Sequence, residues 1–328
     1  MGDLRSFKNY LMLNWGTPLH VLGLGYCIFM ILLLSWTNIS FICEKLYGKG
    51  NFQEATAFIG VVCFETMINL ALFALGSKYN RLDYLIDQEK MRRCSGTKSG
   101  DKVERIRSYG MYGNSYFGAR YCLFCHFMVP VICHHCPVCD YCVFRKDHHC
   151  FFMGGCVGFG NQRYFIVFLF WATLGSMYSL FLVFRLIITV YKPTSPLAWA
   201  RYLFPVYFIM AIYEAMCDKH EILCVLYVSI VICCTFGSTW FLVYQCAMVV
   251  KGRSARGYFC LRDMFPANRN PTIAQRIELV FGPYWAVNFL VPLPLRNKLD
   301  ESYEHAMLLY YSKAVAEGES IPGKLKRN

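Results

Sequence analysis

Hydrophobic and polar residues are sorted along this chain into long blocks. Four blocks stay apolar over a long run: Thr17–Trp36, Ala55–Leu75, Tyr164–Val190 and Leu223–Val250. Roughly 20 apolar residues in a helix cross about 30 Å of hydrocarbon, so each block predicts a transmembrane helix. A fifth stretch, Leu203–Ala215, is too short to cross and carries Pro205 and Glu214, which predicts a re-entrant or interfacial segment. The polar blocks divide the rest. Residues 1–75 hold an N-terminal segment and the first two spans, and residues 76–163 form a long loop. Residues 164–250 hold the last two spans with a loop between them, and residues 251–328 form a tail broken by Pro266, Pro271, Pro283, Pro292 and Pro294. One helix is predicted within that tail, at Thr272–Phe281. The predicted fold class is an all-α polytopic membrane protein with four transmembrane helices.

Charge sets the orientation. Lys and Arg number 2 before the first span, 13 between the second and third and 12 after the fourth, against 2 and 3 in the two opposite loops. By the positive-inside rule both termini and the 76–163 loop face the cytosol. The remaining cation, Arg185, lies near the far end of the third span, where it can snorkel to the interface. The chain is 56% hydrophobic and 16% charged, against about 25% charged in soluble domains. Its net charge of +12 follows the topology and favours anionic lipid. With no nucleic-acid fold in the chain, nucleic acid is not expected as a partner. The first span is too long for a cleaved signal core, and no small-residue cleavage site follows it. Gly2 formally fits N-myristoylation, but Asp3 beside it disfavours that reading. The terminal Lys324-Leu325-Lys326-Arg327-Asn328 fits a K-x-K-x-x retrieval signal, which predicts the endoplasmic reticulum or early Golgi.

Chemistry is concentrated in the 76–163 loop, in a cysteine-rich core at about 120–165. Between Cys122 and Cys156 lie eight of the 18 cysteines and five of the eight histidines, spaced C-x2-C-x9-H-C-x2-C-x2-C-x4-D-H-H-C-x5-C. In a reducing compartment, clustered thiols bind metal or react more often than they pair. A C-x2-C turn aims two sulfurs at one tetrahedral zinc. The two turns, Cys122/Cys125 and Cys136/Cys139, therefore predict two zinc sites, which six Cys and two His would complete as Cys3His. Such sites stabilise a segment with little apolar core. A thiol, an imidazole and a carboxylate are left over, and that surplus marks a candidate active site. Three other readings are weaker. Cys122-Leu123-Phe124-Cys125-His126 matches a c-type haem attachment signature, but that chemistry belongs outside the cytosol. A cross-braced RING-like domain would end in a C-x2-C pair rather than Cys150-x5-Cys156. The glycines of 154–160 lack the preceding strand and following Gly-Lys-Ser/Thr of a phosphate loop, so they read as a tight turn.

Asp147-His148-His149-Cys150, set in this spacing and followed by Cys156-Val157-Gly158 and Asn161-x3-Phe165, resembles the DHHC family of protein S-acyltransferases (palmitoyltransferases). The resemblance covers about 45 residues of motif. It implies one zinc on Cys122, Cys125, His135 and Cys142, and a second on Cys136, Cys139, His149 and Cys156. It leaves Asp147, His148 and Cys150 for catalysis, and Cys133 and His134 without a role. Cys150 would take an acyl group from a fatty acyl-CoA such as palmitoyl-CoA. It would then pass the group to an accessible cysteine of a cytosolic or membrane protein. The residue types suit that task, because an imidazole activates a thiol whose ordinary pKa of about 8.5 leaves it mostly protonated. A carboxylate can fix the tautomer of that imidazole.

Further expectations follow from the same likeness. The spans would house the acyl chain, and the small Gly175 and Ser176 on the third span would admit chains longer than palmitoyl. Phe152 would cover the chain where the family commonly has Trp. Arg145, Lys146 and Lys251 could meet CoA phosphates, or serve as ordinary cytosolic-side charges. Glu65 and Asn69, one helical turn apart in the second span, predict a buried hydrogen-bond network. The chain departs from the family at Phe151-Phe152 (commonly Pro-Trp), Gly155 (Asn), Ile132 (Arg) and Ser254-Ala255-Arg256-Gly257 (Thr-Thr-x-Glu). A catalytically inactive zinc-binding scaffold or chaperone is the alternative these departures leave.

Overall fold

In hydrocarbon a backbone N–H or C=O must find its partner within its own segment, so an isolated apolar block has one solution, the helix. All four predicted blocks take it. The computed structural model describes residues 2–82, 119–125, 127–130, 132–214, 219–254, 272–282 and 284–291. Among these residues, Pro18–Tyr47, Gln53–Asn80, Gln162–Tyr191 and Ile222–Lys251 are long and apolar enough to cross a membrane. The chain is an integral membrane protein. The helices are α1 (Gly2–Thr37), α2 (Glu44–Tyr47), α3 (Gln53–Gly76), α4 (Gln162–Leu186), α5 (Pro196–Ala200), α6 (Phe204–Glu214), α7 (Lys219–Lys251) and α8 (Ile273–Phe281). A π-helical stretch, Asn38–Cys43, joins α1 to α2. The fifth apolar stretch is α6, whose 11 residues reach about 16 Å, roughly half of a bilayer core. The tail helix starts as expected: Thr272 caps it, with Gln275 bonding back in a capping box.

The chain divides into two compact units. One comprises Gly25–Leu70 and Ile166–Gln245. Its core packs Ile42, Ile59, Leu182, Leu186, Ile187 and Val228. Polar groups tie its helices together where no water competes. Asn38 donates to Ser179 Oγ at 2.7 Å, and the Tyr227 hydroxyl donates to Asn38 Oδ1 at 2.8 Å, so three spans share one bond chain. Asn38 sits on the π-helical stretch. The predicted Glu65–Asn69 network is present: Asn69 Nδ2 donates to the Glu65 carbonyl at 2.9 Å and to its carboxylate at 3.4 Å, both residues buried.

The other unit comprises Met1–Leu24, Ala71–Phe165 and Cys246–Asn328. Here the structure adds to the all-α expectation. The cysteine-rich segment forms three antiparallel two-stranded hairpins: β1 (Ala119–Cys122) with β2 (Phe127–Pro130), β3 (Cys133–Cys136) with β4 (Tyr141–Phe144), and β5 (His148–Cys150) with β6 (Gly155–Val157). Strands of three or four residues have no room for an alternating pattern, and their turns are set by metal-ligand spacing rather than by turn chemistry.

Candidate active site and metal centres

The hairpin register explains the ligand spacing. Cys122 ends the first strand of its hairpin and Cys125 lies in the turn that follows, and Cys136 and Cys139 stand likewise in the second. The remaining two ligands of each set are directly cross-strand partners, His135 with Cys142 and His149 with Cys156. Each set thus takes a turn from one hairpin and a facing pair from the next. The resulting groups, Cys122/Cys125/His135/Cys142 and Cys136/Cys139/His149/Cys156, bring all their ligand atoms within 4.8 Å of one another. In the first, Cys125 Sγ lies 3.3 Å from His135 Nδ1 and 3.6 Å from Cys142 Sγ. In the second, His149 Nδ1 lies 3.3 Å from Cys139 Sγ and 3.6 Å from Cys136 and Cys156, and Cys139 lies 3.7 Å from Cys156. A tetrahedron with Zn–S of about 2.3 Å and Zn–N of about 2.0 Å has edges of about 3.5–3.8 Å. The donor sets fit zinc in kind, number and size. One thiol in each is driven toward thiolate: Cys125 down to about 5, chiefly by its bond with Cys142, and Cys136 downward, chiefly by Cys139 and then Cys156.

The β5–β6 hairpin is fastened by two buried asparagines. Asn161 accepts from Gly158 N at 2.9 Å and donates to the Cys156 carbonyl and to Ser77 Oγ, each at 3.0 Å. Asn80 donates to the same carbonyl at 3.0 Å and accepts from Gly160 N at 2.7 Å. The glycines at 158 and 160 permit this closeness. A Cβ on Gly160 would stand 2.5 Å from the Gly76 carbonyl oxygen, and one on Gly158 would stand 2.8 Å from Asn80 Oδ1. The expected tight turn is present, with Gly154 at φ +69°. Asn161 belongs to the quoted motif, but Asn80, 76 residues from Cys156 in sequence, carried no signal.

Strand β5 and the residue just before it present the remaining trio. His148 Nδ1 lies 2.8 Å from Asp147 Oδ2, and the carboxylate is 1% exposed. Cys150 follows two residues on along the same strand, and the ring stands edge-on to Phe165 at 5.2 Å. Burial pulls the His148 pKa down, but the bond to Asp147, the nearby Cys150 thiol and the two charges outweigh it and raise it to about 9. Asp147 is itself held by its backbone, whose N–H donates to the Val157 carbonyl at 2.9 Å. Successive residues on a strand point to opposite faces. His148 and His149 therefore serve different partners, one the thiol and the other the metal group.

The other predicted positions divide. Lys251 is exposed at the end of α7. Arg145 and Lys146, read as ordinary cytosolic-side charges or contacts for CoA phosphates, are turned inward at 1% and 5% exposure. Arg145 donates to Gln162 Oε1 and lies over the Phe159 ring, while Lys146 donates to the His135 carbonyl at 3.0 Å. Phe151 packs edge-on against His149 at 4.7 Å, and Phe152 is 56% exposed. Gly155 faces Cys150 across the hairpin, with Phe73 and Ser77 3.6 Å from where its Cβ would be. In the second unit, Ser176 is buried and donates to the Thr173 carbonyl at 3.1 Å. Gly175 meets α3, since a Cβ there would stand 2.5 Å from Val62 Cγ1. Its small size serves a helix contact. Cys133 is fully buried on β3. Lys324, Lys326 and Ala255–Gly257 lie outside the described residues.

Residues 115–259 match the DHHC palmitoyltransferase family. Palmitoyltransferase ZDHHC15 of Rattus norvegicus is 31% identical over 160 residues, covering 49% of this chain and 41% of its own length. Palmitoyltransferase ZDHHC2 of Mus musculus is 44% identical over 169 residues, covering 46% of this chain and 44% of its own. Palmitoyltransferase PFA3 of Candida glabrata is 43% identical over 86 residues, covering 26% and 25%. The chain spans less than half the length of these relatives.

Proposed function

With a DHHC palmitoyltransferase domain at residues 115–259 as its premise, we propose that this membrane protein is a protein-cysteine S-acyltransferase working through an acyl-Cys150 intermediate. The observation that carries the reading is the buried 2.8 Å contact of Asp147 with His148 on a strand that ends in Cys150. His148 takes the Cys150 proton, and the thiolate attacks the thioester carbonyl of a fatty acyl-CoA. The C–S bond to CoA breaks, and its thiolate leaves with that proton. In the second half, His148 takes the proton of a substrate cysteine, whose sulfur displaces Cys150 and carries away the acyl group. Asp147 holds the imidazole in one tautomer and stabilises its protonated form throughout.

Zinc, held by the two Cys3His sets, would supply the structural frame for the β5–β6 hairpin. Of the cations considered for CoA, Lys251 is the one with an exposed side chain. The membrane spans would receive the acyl chain, with Ser176 and Phe152 as candidate contacts. The cytosolic placement of both termini and residence in the endoplasmic reticulum or Golgi rest on the positive-inside count and the terminal lysines. A Lys324→Ser/Lys326→Ser protein with an unchanged cellular distribution would remove the second support.

Purified protein incubated with labelled palmitoyl-CoA tests the activity. A hydroxylamine-sensitive label that Cys150→Ser abolishes is the expected result. Folded, zinc-loaded protein that takes no label would leave a zinc-binding scaffold instead, which the departures at Phe151, Phe152 and Gly155 favour.

A further inference from the structure

The two histidines of the metal sets present the same face to their cysteines. His135 and His149 both aim Nδ1 at sulfur, which leaves Nε2–H pointing outward in each. In the first set that outer nitrogen has a carboxylate behind it, with Asp140 Oδ1 at 3.8 Å from His135 Nε2. In the second set, His149 Nε2 is buried and has no hydrogen-bond partner. A ligating imidazole ordinarily donates its outer N–H to an acceptor, which fixes the ring and raises its basicity. Besides Phe151, which offers no acceptor nitrogen, the ring beside His149 is His20, on α1, with centroids 5.4 Å apart.

His20 is placed to supply that acceptor. Its Nε2 lies beside Gly154, 3.3 Å from where a Cβ there would stand, and a neutral imidazole that donates through one nitrogen accepts through the other. A centroid separation of 5.4 Å is within reach of a ring-to-ring hydrogen bond of about 3 Å after a small rotation. The neighbouring turn of α1 is seated as closely. A Cβ on Gly23 would stand 2.7 Å from the Phe151 carbonyl oxygen, and Leu24 Cδ2 lies 3.1 Å from where a Cβ on Gly154 would be. We propose that His20 is a positioning residue for the second zinc set, accepting from His149 Nε2–H and donating to Gly154. Through it the first membrane span holds both the metal ligand before Cys150 and the turn after it.

This inference rests on the two-zinc reading, and the test separates them. Zinc release from the purified full chain in detergent is titrated with EDTA for wild type, His20→Phe and His20→Gln. Phe keeps a ring of similar bulk without an acceptor, whereas Gln keeps an acceptor and a donor without the ring. The expected result is half-release of zinc from His20→Phe at roughly 10- to 100-fold less chelator, with His20→Gln close to wild type. Equal release from all three would overturn the role of His20 and leave the two-zinc reading intact. Weakening by Gln as large as by Phe would assign the effect to ring packing and overturn the acceptor role. Wild type that carries no zinc would overturn both readings. If His20→Phe and His20→Ala fail to fold while His20→Gln folds, the acceptor role is supported; failure of all three overturns it.

Discussion

Asn161→Ala isolates what holds the β5–β6 hairpin in place. Asn161 is fully buried and makes three good hydrogen bonds, with a fourth contact to the Phe73 carbonyl at 3.5 Å. Two of the groups it touches keep another partner after truncation. The Cys156 carbonyl still accepts from Asn80, and the Ser77 hydroxyl still donates to Phe73. The Gly158 N–H does not, and a buried orphan donor costs about 1–3 kcal/mol, while each other lost bond costs about 0.5–1.5 kcal/mol. The sum is about 3 kcal/mol, on the order of a hundredfold in the opening equilibrium of the hairpin. Hydrogen exchange at the Asp147 amide, which bonds to Val157 across β5–β6, reads that opening directly. Protection there should fall on the order of a hundredfold in Asn161→Ala. Asn161→Asp should be no better, because it keeps the acceptor for Gly158 but turns a carboxylate toward the Cys156 carbonyl. Exchange within about threefold of wild type in both variants would refute the assignment of these bonds.

Other substitutions separate chemistry from framework. Asp147→Asn should cut the rate of Cys150 labelling by about two to four orders of magnitude while zinc content stays at the wild-type level. Gly155→Ala should leave folding and zinc within about 0.5 kcal/mol of wild type, since its Cβ would meet atoms at an ordinary 3.6 Å; Gly160→Ala, blocked by backbone at 2.5 Å, should fail to yield stable protein. Gly175→Ala should cost about 1–3 kcal/mol through overpacking, measured as thermal stability in detergent, and Val62→Ala should restore it. A chain-length shift in Gly175→Tyr without loss of stability would contradict that account.

Membrane spans were legible because hydrocarbon leaves the backbone one choice, and the predicted ends at Val190 and Val250 fall within one residue of the structural ones. The metal sets were legible because ligand chemistry admits few residue types. The hairpins between them were not, since strands β1 to β6 are too short to show a period. Contacts joining distant residues were equally hidden: Asn80 to Cys156, Asn38 to Ser179 and Tyr227, and His20 to His149. Each depends on which helix turn ends beside which loop, and a pattern read along the chain carries no such information. Arg145 and Lys146 were read from charge alone, yet Gln162, Phe159 and the His135 carbonyl draw them inward.

The relay of ligands from one hairpin to the next governs how the cysteine-rich segment comes apart. The β3–β4 hairpin contributes its facing pair to one set and its turn to the other, so two bound ions would be links in series. A chelator or oxidant that removed the first would free the hairpin that carries Cys136 and Cys139. The second set would then lose the support of two of its donors, leaving the hairpin on which Cys150 sits to Asn80 and Asn161. Injury to the first set would thereby reach the second, which adjoins Cys150.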